Sequence, residues 1–137
     1  MSYTQDQMIA MFNQLQQSLI DRVADTGWVE IPLSGHNVIW SGSGRARRIG
    51  NLVQLEFSNI RSTSKIESDV WVANGLEARF VPAKTEIAPI LAMPSSGMMH
   101  GGFMSVRNDG IVMITPLAGA PYIPYYGVYA RIVYMID

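Results

Sequence analysis

From Trp28 onward, apolar and polar side chains alternate with a period of two, broken by short groups of Gly, Pro, Ser and Asn. That period belongs to half-buried strands, whose successive side chains point to opposite faces. In "RARRIGNLVQLEF" two such runs flank Gly50-Asn51, a pair suited to a primed hairpin turn. Val53, Leu55 and Phe57 then share one face, and Gln54 and Glu56 take the other. "GFMSVRNDGIVMI" repeats the plan, with Asp109-Gly110 as the turn and Met104 and Val106 facing in. "WVEIPL" also alternates, but Pro32 assigns it to a sheet edge or a strand end. The last run, "VYARIVYMID", reaches the final residue with no polar tail. It sets Val128, Ala130, Ile132, Tyr134 and Ile136 against Tyr129, Arg131, Val133 and Met135, which are hardly more polar. A strand apolar on both sides is expected to be central and buried on both. The polar loop "NIRSTSKIESD" and the small-residue turn "MPSSGMMHGG" separate these hairpins. Together they predict an antiparallel β-sandwich or barrel.

Before Gly27 the period changes. Thr4 and Gln7 have capping-box spacing, and Met8, Phe12, Leu15 and Leu19 follow at intervals of four, three and four. Arg22 or Val23 completes the stripe, and the opposite face is Gln, Asn and Ser. This is a heptad seam of about two repeats, too short to be stable alone. One arrangement packs the helix on its own domain. The narrow seam with amide flanks favours the other, a self-associating bundle. The chain therefore reads as a helix over 1–26 and a β domain over 27–137.

Composition narrows the function. Charged residues make up 15% of the 137 and the net charge is −1, which gives no electrostatic case for nucleic acid or an anionic membrane. A charge-poor surface on so small a domain suggests that partners cover part of it. There is no cysteine, so disulfides, thiolate metal sites and cysteine nucleophiles are excluded. No run approaches the ~20 apolar residues of a transmembrane helix. Residues 1–23 do not read as a signal peptide.

Candidate chemistry is sparse. His36 and His100 lie far apart, with no acidic or histidine neighbour at ligand spacing, so no metal and no cofactor is expected. "GSGRARR" looks superficially like a phosphate loop, but no Lys-Ser pair and no helix start follow it. Glu30, Glu56, Glu67, Asp69, Glu77, Glu86 and Asp109 could include a glycosidase pair, yet nothing selects two of them. An enzyme is the weaker class. There remain the aromatics Trp40, Trp71, Phe103, Tyr122, Tyr125, Tyr126 and Tyr129, interleaved with Arg79, Arg107 and Arg131. Flat rings against sugar C–H faces, with charged groups on the hydroxyls, are the chemistry of carbohydrate sites. Most such aromatics in any chain are core or subunit contacts.

The order of "ARRIGNLVQLEF", "ARFVPA", "GGFMSVRNDGIVMI" and the terminal "YMID" resembles the receptor-binding proteins at the tail tip of siphophages of lactococci and related Gram-positive bacteria. The resemblance spans roughly residues 28–137 in pattern and the helix in arrangement. It implies a homotrimer on the virion, at the phage tail tip or baseplate. The N-terminal helices would dock into another baseplate or tail protein, and the β heads would bind a host cell-wall saccharide. Family sites place an aromatic, a histidine and acidic or arginine residues around the second hairpin. The matching positions are His100, Phe103, Arg107 and Asp109, with Trp71 beside them. The resemblance also accounts for the missing signal peptide, since virions leave by lysis, and for the last strand, whose second apolar face a neighbouring subunit would cover. Two other readings stand beside it: a structural fibre or baseplate subunit that binds no glycan, and a small glycan-degrading enzyme.

Overall fold

The computed structural model describes residues 2–35, 38–93, 99–124 and 126–136, with the backbone alone for 20–23. His36, Tyr125 and most of the small-residue turn lie outside the described residues. The helix is α1 (Gln5–Val23). As its spacing requires, the Gln7 N–H donates to Thr4 Oγ1 at 3.2 Å and the Thr4 N–H donates to Gln7 Oε1 at 2.9 Å. Every described side chain of α1 is exposed, including the seam residues Met8, Phe12, Leu15 and Leu19. Packing of the seam on its own β domain is therefore not the arrangement seen.

Eight strands follow: β1 (Val29–Ile31), β2 (Trp40–Ile49), β3 (Leu52–Ser62), β4 (Val70–Asn74), β5 (Glu86–Met93), β6 (His100–Val106), β7 (Ile111–Pro116) and β8 (Gly127–Met135). All pair antiparallel in one sheet, ordered β1-β2-β3-β8-β5-β6-β7-β4. The sheet curls into a nearly closed barrel. Across the gap between its edges the Ser34 N–H donates to the Val72 carbonyl, and the Trp40 indole donates to the Trp71 carbonyl, both at 2.8 Å. Both expected hairpins are present: Gly50 (φ +58°) turns β2 into β3, and Gly110 (φ +86°) helps turn β6 into β7. The loop expected at "NIRSTSKIESD" starts later, because β3 continues to Ser62. β4 and β5 carry no comparable local signal and are held by long-range pairing.

The alternation fills the barrel. Val53, Leu55, Phe57, Met104, Val106, Ile132 and Tyr134 face a single apolar core. A 3₁₀ turn, Ala78–Phe80, plugs the end near the β2–β3 turn with the buried Phe80 ring. The Tyr134 hydroxyl donates to the Phe80 carbonyl, and burial pushes that phenol's pKa upward.

β8 is central, as expected, between β3 and β5, but it is not buried on both sides. Val128, Ala130, Ile132 and Tyr134 are inside, whereas Tyr129, Val133 and Met135 are 43%, 51% and 60% exposed. A barrel wall has one interior face, so its other face meets solvent or a partner, and period-two alternation cannot tell these apart.

Midway along β3 the ladder slips on both sides, between Phe57 and Ile60 towards β8 and between Ser41 and Ser43 of β2. Asn59, with φ +50°, sits in this bulge. A Cβ on Gly127 would fall 2.4 Å from the Asn59 Oδ1, so a larger residue there would displace the Asn59 side chain.

The segment after α1 is tied to the barrel before β1 begins. Gly50 N–H donates to the Ala24 carbonyl at 2.8 Å, Thr26 N–H to the Arg48 carbonyl at 3.0 Å, and Arg47 pairs with Asp25 through its Nε at 2.9 Å. Trp28 lies under the Arg45 guanidinium, 4.0 Å from the ring centroid. The helix thus leaves from the barrel end that carries the Gly50-Asn51 and Asp109-Gly110 turns, here the proximal end. His100, Met93 and Gly127 mark the distal end.

Candidate functional site

The five residues expected to bind saccharide do not form one pocket. Arg107 and Asp109 meet at the proximal β6–β7 turn, Nη2 to Oδ2 at 2.6 Å. Asp109 also accepts from the Ile111 N–H at 3.3 Å, which holds the turn. Arg107 Nη1 lies 3.8 Å from Met113 Sδ, and Met113 stands opposite the half-buried Trp71 of β4. Arg107, Asp109 and Trp71 are thereby drawn onto one stretch of outer surface.

Phe103 is further along β6, pointing out and nearly half exposed. It stands opposite Thr115 on one side, whose hydroxyl donates to Asp69 Oδ1 at 2.5 Å, and opposite Pro89 on the other. His100 is at the distal end. The seven residues of β6 separate it from Arg107 by about 23 Å, at ~3.3 Å of rise per residue. Its ring stands edge-on to Tyr126 at 5.2 Å, and its Nδ1 is buried without a hydrogen-bond partner among the described residues.

Other aromatics have structural work. Tyr122 is buried, its hydroxyl donates to the Gly101 carbonyl at 2.9 Å, and burial pushes its pKa up to about 12. Trp40 spends its indole N–H on barrel closure. Among the described residues no three His, Cys, Asp or Glu side chains are placed to hold a metal, and no helix is long and apolar enough to cross a membrane.

A further concavity lies elsewhere, on the outer face where β8 and β5 part. Their pairing ends at Ile90 opposite Ala130, beside Pro89, which has no N–H to donate. The resulting groove measures about 470 Å³ and is lined by Glu56, Ser58, Pro89, Leu91, Tyr129 and Arg131, over the backbone of Phe57, Ile90 and Ala130. Glu56 accepts from Arg45 Nη2 at 2.7 Å and from Gln54 Nε2 at 2.9 Å, and Arg131 Nε lies 3.5 Å away. The Arg45 hydrogen bond, more than the nearby Arg45 and Arg131 charges, holds the Glu56 carboxyl below the usual range. Tyr129 and Arg131 stand out in the sequence as an aromatic and a guanidinium beside each other. Their meeting with Glu56 and Pro89 depends on strand register, for which Pro89 inside an alternating run is the one local signal.

No protein-family model matches the chain, and no curated protein matches it in sequence. Solved structures do match. One is the crystal structure of the head domain of phage bIL170, described among the receptor-binding domains of lactococcal phages. The two superpose with a TM-score of 0.63 at 10% sequence identity, over 80% of this chain and 97% of that domain. The resemblance seen in the order of hairpins is thus a shared fold: the β domain has the architecture of a phage receptor-binding head.

Proposed function

We propose that the chain is a receptor-binding protein of a phage tail, which attaches the virion to a saccharide of the host cell wall. The observation that carries this reading is the fold match, which takes in nearly all of the bIL170 head domain. The exposed apolar surfaces support it. The seam of α1 leaves the barrel at the proximal end, where Leu52, Val133 and Met135 also stand exposed on the outer wall. Leu52 faces Met135 across the β3–β8 ladder. In this reading three copies cover these surfaces, the helices dock into a tail or baseplate protein, and the heads act by binding and not by catalysis.

Receptor contact falls on the outer wall, with Phe103 central among the candidates. Trp71, Arg107 and Asp109 flank it on the proximal side and His100 on the distal side. Purified protein should compete with phage for adsorption and bind isolated lactococcal cell walls, and sedimentation equilibrium should give three times the chain mass. A trimer that neither binds walls nor blocks adsorption would replace this reading with the structural-subunit one.

A further inference from the structure

The groove between β8 and β5 brings apolar and charged side chains together on the outer wall. Its lining combines the apolar Pro89, Leu91 and Tyr129 with the polar Glu56, Ser58 and Arg131. We propose that this groove is a saccharide subsite, in which the Tyr129 ring stacks on a sugar face while Arg131 and Glu56 hydrogen-bond its hydroxyls. The inference rests on the receptor-binding reading and adds a location and residues to it.

Three observations carry it. The first is that the groove is built by the fold. β5 leaves β8 at Pro89, the Asn59 bulge bends β3 beside Ser58, and Gly127 leaves room for the bulge. Bulges of this kind re-aim side chains near binding sites. The second is chemical fit. A pyranose has an apolar C–H face and a rim of hydroxyls, and Tyr129 and the charged side chains match these in turn. Glu56 is fixed by Arg45 and Gln54, so its acceptor needs no rearrangement on binding. Arg131 touches Glu56 only at 3.5 Å and its side chain is 64% exposed, which leaves donors for a ligand. The third is access: the groove, about 470 Å³, is open to solvent along the outer wall, so a chain of linked sugars can lie across it. A second copy of the chain is the competing occupant. The exposed Leu52, Val133 and Met135 suit a copy; a carboxylate, a guanidinium and a hydroxyl together suit a sugar.

The test uses the full chain and fragments released from lactococcal walls, titrated by calorimetry. Tyr129→Ala and Arg131→Ala should each weaken binding roughly tenfold or more, the loss expected for a stacking face or a charged hydrogen-bond partner. Tyr129→Phe should keep the affinity, because it keeps the ring. Melting temperature and sedimenting mass should be unchanged in all three. If wild-type protein binds and both alanine variants bind equally well, the groove proposal is overturned while the receptor-binding reading stands. If either alanine variant changes the sedimenting mass, the groove is a contact between copies and the proposal is again overturned. If wild-type protein binds no wall fragment, the receptor-binding reading falls and takes the groove proposal with it.

Discussion

In the barrel, Val53, Leu55 and Phe57 alternate with polar neighbours and are buried. In α1, Met8, Phe12, Leu15 and Leu19 repeat just as regularly and stand in solvent. The two patterns are equally ordered, and both elements have sound local chemistry at their ends. The difference is where the partner surface lies. Each strand finds its complement within the chain, whereas the helix seam has none there. Regular patterning shows that a surface is meant to be covered; it does not show by what. The outer side of β8 makes the same point within one strand, since Ile132 is buried and Val133 is exposed.

This contrast can be tested by removing groups from each region. The largest effect belongs to the core. Phe57→Ala should cost the barrel ~3–5 kcal/mol in urea unfolding, because its ring packs where a Cβ on Gly44 would sit 2.6 Å away. A loss below 1 kcal/mol would mean the interior is not packed as described.

Tyr134→Phe comes next. It leaves the buried Phe80 carbonyl without its donor and should cost about 1–3 kcal/mol, read by the same method. An equal loss from Val133→Ala in the isolated barrel would erase the distinction between the two faces of β8.

Deleting residues 1–23 should then change barrel stability by no more than ~0.5 kcal/mol, since every described side chain of α1 is exposed. The same deletion should reduce the sedimenting mass to that of a monomer. A truncated chain that lost its β signature by circular dichroism would show that the helix supports the fold.

The smallest effect concerns the junction. Arg47 and the Gly27 N–H hold the Asp25 carboxyl at about 2. A folded-state pKa below the unfolded value stabilises above the unfolded value, and the contribution fades as pH falls towards 2. Asp25→Asn should therefore flatten the fall in melting temperature between about pH 4 and pH 2. An unchanged pH profile would mean that this ion pair does not tie the linker to the barrel.

Much of the fold was legible because its signals are local. Thr4 with Gln7, Gly50-Asn51 and Asp109-Gly110 each act within a few residues, and the alternation they bound names the core face. β4 and β5 were illegible because their partners lie far along the chain: Val70 pairs with Ile114 and Ile90 with Ala130. The candidate site was legible only in kind. His100, Phe103, Arg107 and Asp109 look clustered in sequence, but an extended strand carries its two ends apart. It is the pairing of β8 with β3 and β5, strands far from it in the chain, that gathers Tyr129, Arg131, Glu56 and Pro89, and only Pro89 hints at it locally.

The place of β8 also governs how the molecule comes to exist. β8 follows every other strand in the chain, yet it is the seam that joins β1-β2-β3 to β5-β6-β7-β4. Until Gly127 and its successors leave the ribosome, two half-sheets coexist with the edges of β3 and β5 unpaired. At ~5–20 residues per second, the interval from Ser62 to Gly127 is roughly 3–13 s. Open strand edges template pairing with other nascent chains, so many copies made side by side are most vulnerable in those seconds. The final strand acts as the latch, and the yield of folded protein depends on how fast it closes.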